Sequence, residues 1–171
     1  MATYTILDGG KGPQYNGPHA APFQANIDCA ALAANTHDWK LANTSNVAAP
    51  LASTGWAASD VLQIFEVPSG FCLRLVGARV TTVEGGAATA DIGNASATQT
   101  HILAAAAVGY MGTFDLNSAV TQITLLTDSH LGSSQYEAVM FITDGTIDIT
   151  WVTAATAVCV LDVFAFGVTC W

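Results

Sequence analysis

The chain has 171 residues, 51% of them hydrophobic and only 10% charged, with a formal net charge of −9. That length fits one domain, or one domain with an arm. Its four bases, Lys11, Lys40, Arg74 and Arg79, form no cluster, which argues against nucleic acid and against an anionic membrane surface as partners.

A charge fraction well below the roughly 25% of an average soluble domain leaves much neutral surface on a monomer. It therefore favours a homo-oligomer, or a protein buried in an assembly. The start, Met1-Ala2-Thr3-Tyr4-Thr5-Ile6, has neither the basic nor the apolar region of a secretory signal. The longest apolar stretch, near Ile102 to Val108, is too short to span a bilayer. The expectation is a chain made in a cytoplasm and kept there or released by lysis.

Residues 1–58 read as an irregular segment or extended N-terminal arm, and 59–171 as the folded domain. Between 8 and 26 stand Gly9, Gly10, Gly12, Pro13, Gly17, Pro18 and Pro22, which is loop composition. Tyr4, Ile6, Leu7, Tyr15 and Phe23 interrupt it as spaced apolar anchors. Either the segment lies over a neighbouring subunit, or it is a loose tail. The first reading makes those five residues, with the C-terminal Trp171, the candidate interface. Residues 27–34 fit a strand or one helical turn.

From Asp60 onward apolar runs alternate with turn residues. They predict strands near 61–67, 71–83, 87–92, 99–104, 120–127, 136–143, 146–152 and 158–169. Pro68-Ser69-Gly70 and Glu84-Gly85-Gly86 punctuate the first runs. Asp144-Gly145 reads as the turn of a hairpin joining 136–143 to 146–152. In 146–151, Ile147, Ile149 and Trp151 alternate with Thr146, Asp148 and Thr150, so the first set is expected in the core and the second in water. The run from Cys159 to Val168 is apolar on both faces apart from Asp162, which suits a central strand or one covered by another subunit. Together these features predict an all-β, antiparallel two-sheet sandwich of jelly-roll type.

No catalytic constellation stands out, and the chain reads as a non-enzyme with no cofactor and no metal. Asp144, Asp148 and Asp91 are the best acid pair candidates for glycosidase chemistry, but turn and solvent-facing roles account for them. D-G-T-I-D offers too few acids for a calcium loop. His19, His37, His101 and His130 are scattered, without H-x-H or H-E-x-x-H. G-x-S-x-G is absent, and Gly85-Gly86 sits between strands rather than before a helix. Of the tryptophans, Trp151 belongs to the core by alternation, and exposed ones would suit sugar stacking. Cys29, Cys72, Cys159 and Cys170 form no C-x-x-C pair. Cys159 and Cys170 cannot bridge within one straight strand, since eleven extended residues span roughly 36 Å. All four read as small buried hydrophobes, the other possibility being a pairing to Cys29 or Cys72.

Three stretches carry a family resemblance: D-V-L-Q-I-F-E-V-P-S-G from Asp60, V-G-A-R-V-T-T-V-E-G-G-A-A-T-A-D-I-G from Val76, and D-G-T-I-D-I-T-W-V-T-A-A-T from Asp144. With the closing Val160-Leu161-Asp162-Val163, they resemble the jelly-roll head decoration, or cement, proteins of tailed bacteriophages. The likeness covers about 59–171 and rests on turns and strands, not on an active site. It implies a virion protein of the capsid surface, commonly trimeric, that clamps neighbouring subunits of the major capsid protein. A tail or baseplate sandwich, or a carbohydrate-binding module, is the alternative.

Overall fold

The structure, a computed structural model, describes residues 3–7, 21–34, 40–42, 55–93, 111–119, 121–125, 139–141, 143–155 and 158–169. Among the described residues, eleven strands and one helical turn follow in chain order. They are β1 (Thr3–Leu7), β2 (Ala21–Asp28), α1 (Cys29–Ala33), β3 (Lys40–Ala42), β4 (Val61–Val67), β5 (Phe71–Thr82), β6 (Thr89–Gly93), β7 (Met111–Asp115), β8 (Thr121–Leu125), β9 (Val139–Met140), β10 (Gly145–Trp151) and β11 (Val160–Thr169). The expected strand at 99–104 lies outside the described residues.

One sheet has six strands in the order β3-β1-β4-β10-β6-β7; the other has the order β2-β11-β5-β8, with β9 also on β5. Pairing is antiparallel except between β1 and β4. The expected all-β two-sheet class is therefore the observed one. A single core joins the sheets. Leu62, Phe65, Ile92, Phe114, Ile147, Ile149 and Trp151 from the first meet Ile27, Val76, Ala78, Val80, Leu161, Val163 and Ala165 from the second. Period-two alternation supplies most of both sets; on β4 a register shift at Ile64, opposite Ile147 and Asp148, brings both Leu62 and Phe65 to the core. On β11, Leu161, Val163 and Ala165 point inward, while Phe164 and Phe166 point outward on a strand flanked by β2 and β5.

The turns differ from expectation. Asp144-Gly145 does not close a hairpin, because β9 belongs to the five-stranded sheet and β10 to the six-stranded one. Gly145 is also not among the glycines with positive φ, which a two-residue hairpin turn of that type demands. The Asp144 carboxylate instead accepts a hydrogen bond from Ser69 N–H at 2.9 Å. It thereby pins the Pro68-Ser69-Gly70 turn, where the chain leaves β4 in one sheet and enters β5 in the other. Gly70 has φ 83°, a left-handed conformation that glycine adopts without cost. Its N–H donates to Phe141 O at 2.7 Å.

Residues 1–58 also depart from the expected arm. β1 pairs with β3 and β4, and β2 runs the length of β11 in register from Asp28↔Val160 to Ala21↔Gly167. The described parts of this segment are thus extended, but they are strands of the same sandwich. Composition hid them. Gly and Pro dominate the residues between β1 and β2, while Pro22 is tolerated because β2 is an edge strand. α1 is the helical turn anticipated in 27–34. The Asp28 side chain caps it by accepting from Ala31 N–H at 2.9 Å.

Two further expectations are corrected. Asp148 lies on the outward face with Thr146 and Thr150, as alternation requires, yet it is only 1% exposed. β10 is an interior strand between β4 and β6, and the cover is local to Asp148, since Thr146 and Thr150 are half-buried. Alternation assigns a residue to a face; it does not decide whether water reaches that face. The cysteines divide as well. Cys29 and Cys159 are buried free thiols, but Cys72 is disulfide-bonded.

Candidate functional site

The outward faces of the two sheets are the places where this fold could meet a partner, and they have opposite character. On the five-stranded sheet, strand register places residues in rows. Asn26, Asp162, Arg79 and Thr121 form a polar row; Gln24, Phe164, Gly77 and Ile123 form the next; Phe166 and Leu75 continue the third. Phe166 is 40% exposed and Ile123 is 56% exposed, and Leu75 and Phe164 are half-buried. Phe164 reaches its neighbour strand because Gly77 has no side chain. A Cβ placed there would come within 2.2 Å of the Phe164 ring tip. The ring therefore covers the backbone of β5, and the face is a broad apolar surface bordered by Arg79 and by the 2.6 Å hydrogen bond from Asn26 Nδ2 to Asp162 Oδ1.

The outward face of the six-stranded sheet is polar in composition, and at its centre two acids lie out of water while Gln63, Thr146 and Thr150 beside them are half-buried. Asp148 stands opposite Gln63 on β4 and Gly93 on β6, and Asp91 stands opposite Thr150. This register makes the two aspartates diagonal neighbours on one face, and both are buried, as is Val61. Neither aspartate is without a partner.

Other carboxylates serve the backbone. Asp60 Oδ2 accepts from Ala57 N–H at 3.0 Å, and the buried Glu84 Oε2 accepts from Val158 N–H at 3.1 Å. Asp115 accepts from Ser118 Oγ at 2.7 Å and from Asn117 N–H at 2.9 Å, and these two bonds, the hydroxyl's the larger, hold it below the usual aspartate value. Asp144 lies on an open recess of about 550 Å³ with Glu66, Pro68 and Thr146, but its oxygen is already given to Ser69 N–H. Among the described residues no three acids, histidines or cysteines gather as a metal site would require.

The tryptophans divide likewise. Trp56 and Trp151 stack face to face with centroids 4.0 Å apart and planes 1° from parallel. Both are fully buried, and paired backbone bonds of 2.9 Å between Trp56 and Ala155 fix the stack. Neither ring is available to a sugar. Trp39 lies outside the described residues.

Of the expected interface residues, Tyr4, Ile6 and Leu7 fall on β1 and Phe23 on β2, where Phe23 stands opposite the core residue Ala165. Tyr15 and Trp171 lie outside the described residues. The residues that form the exposed apolar face, Leu75, Ile123, Phe164 and Phe166, were not singled out individually. For Phe164 and Phe166 the signal was the two-sided apolar character of the last strand; Leu75 and Ile123 join them only through register.

Comparison with known proteins adds little. No family model matches the chain, and no curated protein matches it. Among solved structures it is similar to the capsid of Ralstonia phage GP4, at 9% identity and a TM-score of 0.49, over 88% of this chain and 84% of that one. A likeness at that level establishes neither a shared fold nor a shared role.

Proposed function

We propose that this protein is a structural component of a tailed-phage virion, a head decoration protein that binds the outer surface of the major capsid protein. The observation that carries the protein-binding part is the exposed apolar face of Leu75, Ile123, Phe164 and Phe166. Such a face on a chain with 10% charged residues is built to be covered by protein. The sequence resemblance of 59–171 to decoration proteins supplies the particular role, and a trimer is the assembly it implies. Tyr4, Ile6, Leu7, Tyr15, Phe23 and Trp171 remain the proposed contacts on the terminal side. Deleting 1–26 would not test them, since it removes β1 and most of β2; single substitutions would.

Density-gradient virions separated on a gel give the decisive reading. Hundreds of copies per particle support head decoration. A few copies per particle turn the assignment to the tail or baseplate. Absence from virions, with retention on a glycan column, overturns it in favour of sugar binding. The stacked burial of Trp56 and Trp151 already removes two of the rings that sugar binding would use.

A further inference from the structure

Cys29 and Cys159 meet where three elements join. Cys29 is the first residue of α1, directly after β2, and Cys159 directly precedes β11. The β2–β11 register ends at Asp28↔Val160, and Cys29 N–H continues it by donating to Cys159 O at 3.0 Å. The two side chains are wholly buried, and both are free thiols. Hydrogen-bonded antiparallel partners stand about 5.5 Å apart at Cα, inside the range of roughly 4.4–6.8 Å that a disulfide needs. A disulfide elsewhere in the chain, at Cys72, shows that the fold accommodates oxidised cysteine.

We propose that Cys29 and Cys159 are a second disulfide site, which closes when the chain folds in the presence of a small disulfide oxidant such as oxidised glutathione. The balance is simple. One thiolate attacks the glutathione disulfide and releases one glutathione; the second protein thiol attacks the mixed disulfide and releases the other. The two thiol protons and two electrons leave with two reduced glutathiones. In the native state the step is slow. The hydrogen bond to Cys159, then burial, then the nearby charges of Glu84 and Asp28 push the Cys29 thiol well above its ordinary value, and the thiol, not the thiolate, is the poorer nucleophile. Closure therefore belongs to folding, or to transient opening of the start of β11. Once closed, the bond would staple β2 and α1 to β11 and shield itself from reductant.

The experiment refolds the full chain across a series of glutathione redox buffers. Each sample is then unfolded in iodoacetamide without reductant and its peptides are mapped by mass. The expected result is a peptide pair joined through Cys29 and Cys159, a mass lower by two hydrogens, and a thermal midpoint raised by roughly 5–10 °C. Cys29→Ala and Cys159→Ala should each abolish the rise. Mapping of the unsubstituted chain decides the matter even where those variants fold poorly. The proposal is overturned if both cysteines are alkylated in every buffer while Cys72 stays oxidised, or if either is found joined to Cys72.

Discussion

The two outward faces reverse the usual rule. On β10, in the six-stranded sheet, the outward residue Asp148 is charged in type and dry. On β11, in the five-stranded sheet, the outward residue Phe166 is apolar and 40% exposed. Both strands are interior to their sheets and both alternate with period two. The difference shows that strand periodicity and solvent exposure are separate facts, the first set by the pleat and the second by what lies over the sheet. A covered polar face must satisfy its groups internally. An uncovered apolar face loses the free energy of burial until something binds it.

Substitution on each face sharpens this contrast. The largest loss of stability is expected from Asp148→Ala. Asp148 is buried and not without a partner, so its removal is expected to cost roughly 2–4 kcal/mol by urea unfolding. A loss under about 0.5 kcal/mol would mean that water, not protein, satisfies that face. Next comes Gly77→Ala. The new Cβ displaces the Phe164 ring. The ring lies on a half-open face and can swing away, so the expected cost is about 1 kcal/mol.

Phe166→Ser and Ile123→Ser form the counterpart. Their side chains already touch water, so chain stability should change by no more than about 0.5 kcal/mol. Binding to purified heads, or self-association by sedimentation, should nevertheless fall tenfold or more if this face is the docking surface. Unchanged association would leave the face exposed for no assembly reason and break the comparison at its more interesting end.

The strands were legible and the connections were not. Val61–Val67 was read at its observed limits and Phe71–Thr82 within one residue, because apolar and β-branched runs there are bounded by the Pro68-Ser69-Gly70 and Glu84-Gly85-Gly86 turns. Period-two alternation put Ile147, Ile149 and Trp151 in the core. Pro-Ser-Gly and Asp-Gly show only that the chain turns. Whether the next strand pairs with its neighbour or crosses to the other sheet depends on contacts far away in sequence, as between Asp144 and Ser69, 75 residues apart. β1, β3 and β7 are short, at five, three and five residues, and too brief to show a period. The apolar face was half legible. Two-sided apolarity marked β11, but Ile123, Leu75 and Gly77 joined it only through register.

The smallest effect belongs to Asp115, an exposed carboxylate that serves as the control for Asp148. Its two partners, Ser118 Oγ and Asn117 N–H, are within three residues, and they lower its pKa in the folded chain. A carboxylate whose folded value lies below its unfolded value binds fewer protons folded than unfolded. Its contribution to stability is therefore complete above the unfolded aspartate value and fades as pH falls through the folded one. Asp115→Asn should leave stability near neutral pH slightly lower and flatten the acid limb of the stability curve, with the two proteins converging at low pH. Denaturant titrations at several pH values below neutrality would read this. A variant that loses as much stability in acid as at neutral pH would show that the turn depends on packing rather than on the charge, and that local hydrogen bonds to an exposed acid contribute nothing separable here.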